Sequence, residues 1–271
     1  MRAVPRARLR IGTTSFVHPA GWAENVRRLA GRVEDIELLI FERPGPAGPS
    51  PAEIAEIAAL GRAHDLTFSV HAPLDLALAS ADAGQRDASV EAVLRTIELT
   101  APLAPHAVIL HVEEAPGARA PAADPALATW RERAEASLRA ILARGVPPAL
   151  LAVETLDAEF DHVAPLVEGL GLSVALDIGH LARDGVAFDA LLERHLARTR
   201  VIQWHGTEPG GRDHRSLRHY PRAEALRLLR RLDAAGWEGA ITLEVFRVGD
   251  LDDSLEVLAE LRREARGSGA E

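Results

Sequence analysis

The 271-residue chain contains no cysteine, no lysine and no apolar run long enough to span a bilayer. Without cysteine there is neither a disulfide framework nor a thiolate metal site, so a metal ion would have to be held by His, Asp and Glu. Without lysine, Schiff-base chemistry is excluded and every basic side chain is an arginine. Positive charge is also in deficit. There are 31 basic residues against 40 acidic ones, a net charge of −9. That balance argues against a general nucleic-acid binder, whose affinity comes from neutralising phosphates. The opening stretch, Met1 to Arg10, alternates arginine with small residues and has no apolar core of a secretion signal. The expectation is a cytoplasmic protein with no membrane partner. No Gly-x-Gly-x-x-Gly follows the first apolar run, which removes the main support for a dinucleotide fold.

What is present is average globular composition, 47% hydrophobic and 26% charged, arranged as a repeating pattern. Short runs rich in Val, Ile and Leu predict strands near Leu9 to Ser15, Asp35 to Glu42, Thr67 to Pro73, Ala107 to Val112, Leu150 to Thr155, Ser173 to His180, Arg200 to Gly206 and Ala240 to Phe246. Between them, three-to-four spacing predicts helices over Pro51 to His64, Ser89 to Ala101, Pro125 to Ala143, His162 to Leu170, Phe188 to Ala197, Arg222 to Ala235 and Leu251 to Arg263. Ser50 and Pro51 form a helix start, with Glu53 in the first turn. The alanine-, proline- and glycine-rich Glu113 to Asp124 reads as one long loop, and Arg263 to Glu271 as a frayed tail. Strict alternation with strands apolar on both faces is the signature of a parallel sheet, and about eight repeats favour closure. The predicted fold is α/β, a (β/α)8 TIM barrel in one domain over 1–271, with its ordered core over about 8–263. An open doubly wound sheet is the alternative.

The informative feature is how the strands end. The third ends in Val70-His71-Ala72-Pro73, the fourth in Leu110-His111, the fifth in Val153-Glu154, the sixth in Asp177-Ile178-Gly179-His180, the seventh in Trp204-His205-Gly206 and the eighth in Leu243-Glu244. The second ends in an acid as well, Glu42. In a parallel barrel all these ends meet at one mouth, where active sites are built. Any one of these residues alone has an ordinary structural explanation; recurrence over six consecutive strands does not. Imidazoles and carboxylates crowded together without lysine carry a repulsion that divalent cations remove, and the donor set suits zinc, with manganese or iron as alternatives. In the loop after the seventh strand, Asp213 and His214 offer two further donors beside Gly210 and Gly211.

These residues resemble the xylose isomerase-like superfamily, and within it the endonuclease IV type of phosphodiesterase barrel, over Ile11 to Phe246. The resemblance implies two or three divalent metals per chain, held by His71, His111, Glu154, Asp177, His180, His205, Asp213, His214 and Glu244. The related loop usually reads Asp-x-His, whereas Asp213 and His214 are adjacent. More narrowly, the chain resembles the cobamide-remodelling phosphodiesterases through Ile11-Gly12-Thr13-Thr14-Ser15-Phe16, Glu37-Leu38-Leu39-Ile40-Phe41-Glu42, His71-Ala72-Pro73-Leu74-Asp75-Leu76, Asp177-Ile178-Gly179-His180-Leu181, Trp204-His205-Gly206 and Asp213-His214-Arg215-Ser216-Leu217.

That resemblance implies hydrolysis of the phosphoester bond in the nucleotide loop of a corrinoid, a small-molecule substrate. Catalytic roles fall to Glu154, Glu244 and His180, and no obligate protein partner is expected. Arg215 and Arg247 are candidates to clamp the phosphate; Glu42, Phe16 and Trp204 are candidates to contact the substrate, with Trp22 and Phe246 near the same mouth. Three other readings are a one-metal sugar isomerase or epimerase using Glu154, Asp177, His205 and Glu244, an abasic-site endonuclease, and a noncatalytic binding barrel.

Overall fold

The computed structural model describes residues 9–40, 48–112, 125–156 and 160–267. Its eight parallel barrel strands are β1 (Arg10–Thr14), β2 (Asp35–Leu39), β3 (Thr67–His71), β4 (Ala107–Leu110), β5 (Leu151–Glu154), β6 (Ser173–Asp177), β7 (Thr199–Trp204) and β10 (Ala240–Leu243). They close in the order β1-β10-β7-β6-β5-β4-β3-β2, so the open-sheet alternative is excluded. The ring is completed by β1, which pairs with β10 from Arg10↔Ala240 to Thr13↔Leu243 and with β2 from Gly12↔Asp35 to Thr14↔Glu37.

The helices between the strands are α1 (Trp22–Leu29), α2 (Pro51–His64), α3 (Ala83–Thr100), α4 (Pro125–Leu142), α5 (Phe160–Leu170), α6 (Ile178–Arg183), α7 (Asp189–His195), α8 (Arg222–Ala234) and α9 (Val248–Gly267). At α2 the expected start holds, since the Ser50 side chain accepts the Glu53 amide and Pro51 opens the first turn. No helix among the described residues is long and apolar enough to cross a membrane.

Five expectations are corrected. The sixth strand, expected to reach His180, ends at Asp177, which caps helix α6 over Ile178–Arg183. A helix that the sequence pattern did not suggest, α1, follows β1. Helix α3 begins at Ala83 instead of Ser89, because Asp82 caps it by accepting the Gln85 amide. Arg263 to Gly267 continue α9 as helix instead of fraying. The polar stretch after β7 is an antiparallel hairpin, β8 (Gly206–Glu208) with β9 (Arg212–Arg215), turning at Gly210-Gly211. The long loop expected over Glu113 to Asp124, and Glu42, lie outside the described residues.

Strand alternation sorts side chains into two sets. One set packs outward under the helices in the main hydrophobic core, including Leu38, Val70, Val108, Leu110, Val153, Leu176 and Leu243. The other faces the lumen, where Ala107, Ile109, Ala152, Ala175 and Val201 form a separate buried cluster. Two or four residues further along the same strands, in the same parity, stand His111, Glu154, Asp177 and His205. The small apolar plug thus supports the chemical residues from below.

Candidate metal centre

Each residue at the mouth is placed by a local device. Asp177 both ends β6 and caps α6: its Oδ1 accepts the His180 amide at 2.8 Å, and the cap fixes Asp177 and His180 one helical turn apart. Glu154 is the inward-facing last residue of β5, and His205 follows β7 directly. The hairpin carries His214 back over the mouth. There its amide donates to His205 Nδ1 at 3.1 Å, and its backbone takes φ of +52°. Two glycines permit close approaches around the mouth, Gly179 at the His205 ring and Gly206 at the Ser216 backbone. A Cβ on Gly179 would fall 2.4 Å from His205 Cδ2, and one on Gly206 would fall 2.2 Å from the Ser216 carbonyl.

The resulting donors overlap in four groups whose ligand atoms lie within 4.8 Å of one another: His71, His111 and Glu154; Glu154, Asp177 and His180; Asp177, His205 and Glu244; and His180, His205 and His214. Eight of the nine residues expected as ligands are therefore brought together. The ninth, Asp213, stands apart from these groups. Its Oδ2 is bound by Arg183 Nη1 at 2.7 Å and lies 3.7 Å from His180 Nε2, so a guanidinium already balances its charge.

Protonation patterns test whether a cation fits. The Nδ1 of His71 is 2.8 Å from the Ala72 carbonyl, which can only accept, so the ring proton sits on Nδ1. Its bare Nε2 then faces Glu154 Oε2 at 3.1 Å, and His111 Nε2 meets that same oxygen at 3.1 Å. A lone pair against a carboxylate is repulsive unless the ring gains a second proton or a cation stands between them. His214 repeats the pattern, with Nδ1 at 3.2 Å from the Glu244 carbonyl. For His205 the contacts demand opposite tautomers, since Nδ1 receives the His214 amide and also lies 3.3 Å from the Gly206 carbonyl. Asp177 Oδ2 and His180 Nδ1 stand 2.7 Å apart without hydrogen-bond geometry. Asp177 Oδ2, His205 Nε2 and Glu244 Oε2 are all buried and make no hydrogen bond. These orphaned atoms, on residues of complementary donor chemistry, are what a divalent ion would satisfy.

The electrostatics agree. Burial pushes the Glu154 carboxyl up, but the imidazoles of His111 and His71 overcome this and hold it well below the usual carboxylate range. For Glu244, burial, then the charges of Asp177, Glu154 and Glu37, drives the carboxyl well above that range, although His214 Nδ1 lies 3.6 Å from its Oε2. Burial depresses His205 to about 4 against the pull of Asp177, leaving a neutral ring, the form that ligates metal. His214 is lowered by burial and by His180.

The donors open onto a cavity of about 260 Å³, bounded on its other side by Leu39, Ile40, Leu74, Leu156 and Phe246. Leu74 is the one exposed large hydrophobic side chain among the described residues. Of the expected substrate contacts, Trp204 is turned the other way: His205 faces the lumen, so its neighbour faces outward, fully buried and edge-on to Tyr220. Arg215 is spent on Asp250 at 3.0 Å and Glu208 at 2.9 Å, and does not line the cavity. Phe16 packs edge-on against Trp22, and Arg247 is exposed ahead of α9; neither lines the cavity. Sequence reasoning passed over Gln203 and Glu37, both fully buried in the lumen beneath the donors.

The chain belongs to the xylose isomerase-like TIM barrel family, whose model matches residues 30–263. No curated protein matches it significantly. Among solved structures, a D-tagatose 3-epimerase-like protein superposes with a TM-score of 0.79 at 19% identity, covering 96% of this chain and 100% of that one. The 3-keto-D-glucoside 4-epimerase of E. coli gives 0.71 at 16% identity, over 94% and 100%. Endonuclease IV of Thermus thermophilus gives 0.68 at 22% identity, over 94% and 99%. These likenesses establish the fold. They include carbon-centre and phosphodiester enzymes alike, so the choice between them rests on the site.

Proposed function

We propose that this chain is a metal-dependent phosphodiesterase that hydrolyses the phosphoester bond in the nucleotide loop of cobamides, releasing an α-riboside and cobinamide phosphate. The observation that carries the reading is the size of the donor set. A one-metal isomerase or epimerase needs Glu154, Asp177, His205 and Glu244, and leaves His71, His111, His180 and His214 without work, although all four reach the same cluster. Two sites fit without strain on the chemistry: His71 and His111 with Glu154, and Asp177, His205 and Glu244 with Glu154 adjoining. His180 and His214 are the nucleus of a third. The donors suit zinc, with manganese or iron next.

Divalent ions bound there would supply Lewis-acid stabilisation of phosphate oxygens and lower the pKa of a coordinated water. The chain's own residues set the stage. Glu154 belongs to two donor groups and would be the carboxylate shared between adjacent sites. Among the described residues no arginine lines the cavity, so there the negative charge of a phosphodiester would be met by the cations. Leu39, Ile40, Leu74, Leu156 and Phe246 form an apolar wall that excludes water and suits a substrate with a large apolar body beside its phosphate. That wall, the acidic net charge and the lack of lysine favour a corrinoid over DNA.

The test is incubation of the metal-loaded chain with adenosylcobalamin and identification of the products by mass. Release of the α-riboside and cobinamide phosphate is expected. An intact corrinoid together with turnover of a keto-sugar would replace this reading with the epimerase one.

A further inference from the structure

The cluster at the mouth rests on a buried amide whose orientation is dictated by two acids. Gln203, on β7, is fully enclosed in the barrel lumen. Its Nε2 lies 3.3 Å from Glu37 Oε1 and 3.5 Å from Glu154 Oε2, while its own Oε1 has no hydrogen-bond partner. Turning the amide over would aim a carbonyl oxygen at the Glu154 carboxylate, which its imidazoles keep ionised, so the NH2 group faces the two acids and donates one hydrogen to each. Glu37, on β2, is likewise fully buried. Its Oε1 is occupied by Gln203, and its Oε2 makes no hydrogen bond.

The significance lies in which oxygen Gln203 reaches. Glu154 Oε2 is contacted by His71 Nε2, by His111 Nε2 and by Gln203 Nε2. With their lone pairs given to a bound ion, the two imidazoles would no longer address the carboxylate. Gln203 is then the remaining donor to that oxygen among the described residues. We infer that Gln203 is a positioning residue for the metal centre, holding the Glu154 carboxylate in the orientation that places it in two donor groups, and that Glu37 acts through Gln203 by accepting its second hydrogen. This inference rests on the metal centre of the preceding reading but not on its substrate. Groups that orient a ligand from behind commonly govern metal affinity by about 10- to 100-fold.

The test uses the full chain freed of metal, with zinc alone titrated against a competing chelator and cobalt(II) absorption as a second readout. The wild-type chain should take up the ions. If it takes up none, the metal centre and this role fall together. Gln203→Met, similar in volume but unable to donate, should bind its tightest ion about 10- to 100-fold more weakly and shift the cobalt band. Wild-type affinity with an unchanged spectrum in that variant overturns the inference while leaving the metal centre standing. Should Gln203→Met not fold, the Glu37 pair decides. Glu37→Leu removes the acceptor and should weaken binding. Glu37→Gln restores an acceptor without charge and should recover affinity to within about threefold of wild type. If Glu37→Gln loses as much as Glu37→Leu, the effect is the charge of Glu37 on the ions, and the positioning role is wrong.

Discussion

The two ends of the barrel lumen use the same residue types to different ends. At the floor a single buried acid, Asp35, receives His106 Nε2 at 2.9 Å and the Thr67 hydroxyl on the same oxygen. Half-exposed His106 opens that pair to solvent. At the mouth three buried acids, Glu154, Asp177 and Glu244, meet five imidazoles, and several of the facing atoms carry no proton to share. The floor is a small polar contact whose acid has both donors on one oxygen, while its Oδ1 makes no hydrogen bond. The mouth instead gathers its imidazole nitrogens and carboxylate oxygens into groups of three within 4.8 Å of one another, and that convergence is what distinguishes a site built for cations from a local polar contact.

The largest expected effect that would sharpen this contrast is loss of Glu154. Glu154→Ala should lower corrinoid hydrolysis by at least about 10³-fold while the barrel stays folded, since it removes the carboxylate common to two donor groups. Turnover near wild type, in a steady-state assay, would break the assignment of the mouth. Next is metal itself. Saturating zinc should raise the unfolding free energy by roughly 3 to 4 kcal/mol at 100 to 1,000 times its dissociation constant, and chelation should reverse the gain, read by calorimetry.

A third effect is a pH dependence in the metal-free chain. Burial lifts the Glu37 carboxyl from 4.5 to about 7, against the opposing pull of His71. The folded chain therefore keeps a proton that the unfolded chain has released between those values. Its contribution is complete below pH 4.5 and is lost as pH rises through 7. Glu37→Gln should flatten that fall and leave the metal-free variant more stable than its parent above pH 7, by roughly 2 kcal/mol in urea titrations. A parallel pair of curves would contradict it. The smallest effect belongs to the floor. His106→Ala should cost about 1 kcal/mol and leave zinc stoichiometry untouched. A change in metal content there would erase the distinction between the two ends.

The barrel and most of its mouth were legible in the sequence because strand C-termini converge by topology, whatever lies between them. His71, His111, Glu154, Asp177, His205 and Glu244 needed only that rule. What was missed required the finer rule of alternation. With His205 facing inward, Trp204 had to face outward and Gln203 inward; the same parity sends Glu37 into the lumen along with Leu39. Read as a run, Glu37-Leu38-Leu39-Ile40 looks like one acid at the rim of an apolar strand, and the buried acid is hidden in it. The hairpin of β8 and β9 escaped because Arg212 to Arg215 carry no apolar alternation; its strands are held by backbone pairing and ion pairs. The pairing of Asp213 with Arg183 was not legible because the two lie thirty positions apart on different elements.

The empty space beside His205 has its own consequence. With Gly179 against the ring and Gly206 against the Ser216 carbonyl, the smallest added methyl collides at either position. A survey of tolerated substitutions would thus mark 179 and 206 as immutable alongside the ligands, although neither glycine offers an atom to a cation. The space that lets one imidazole stand where it does is as constrained as the donors themselves.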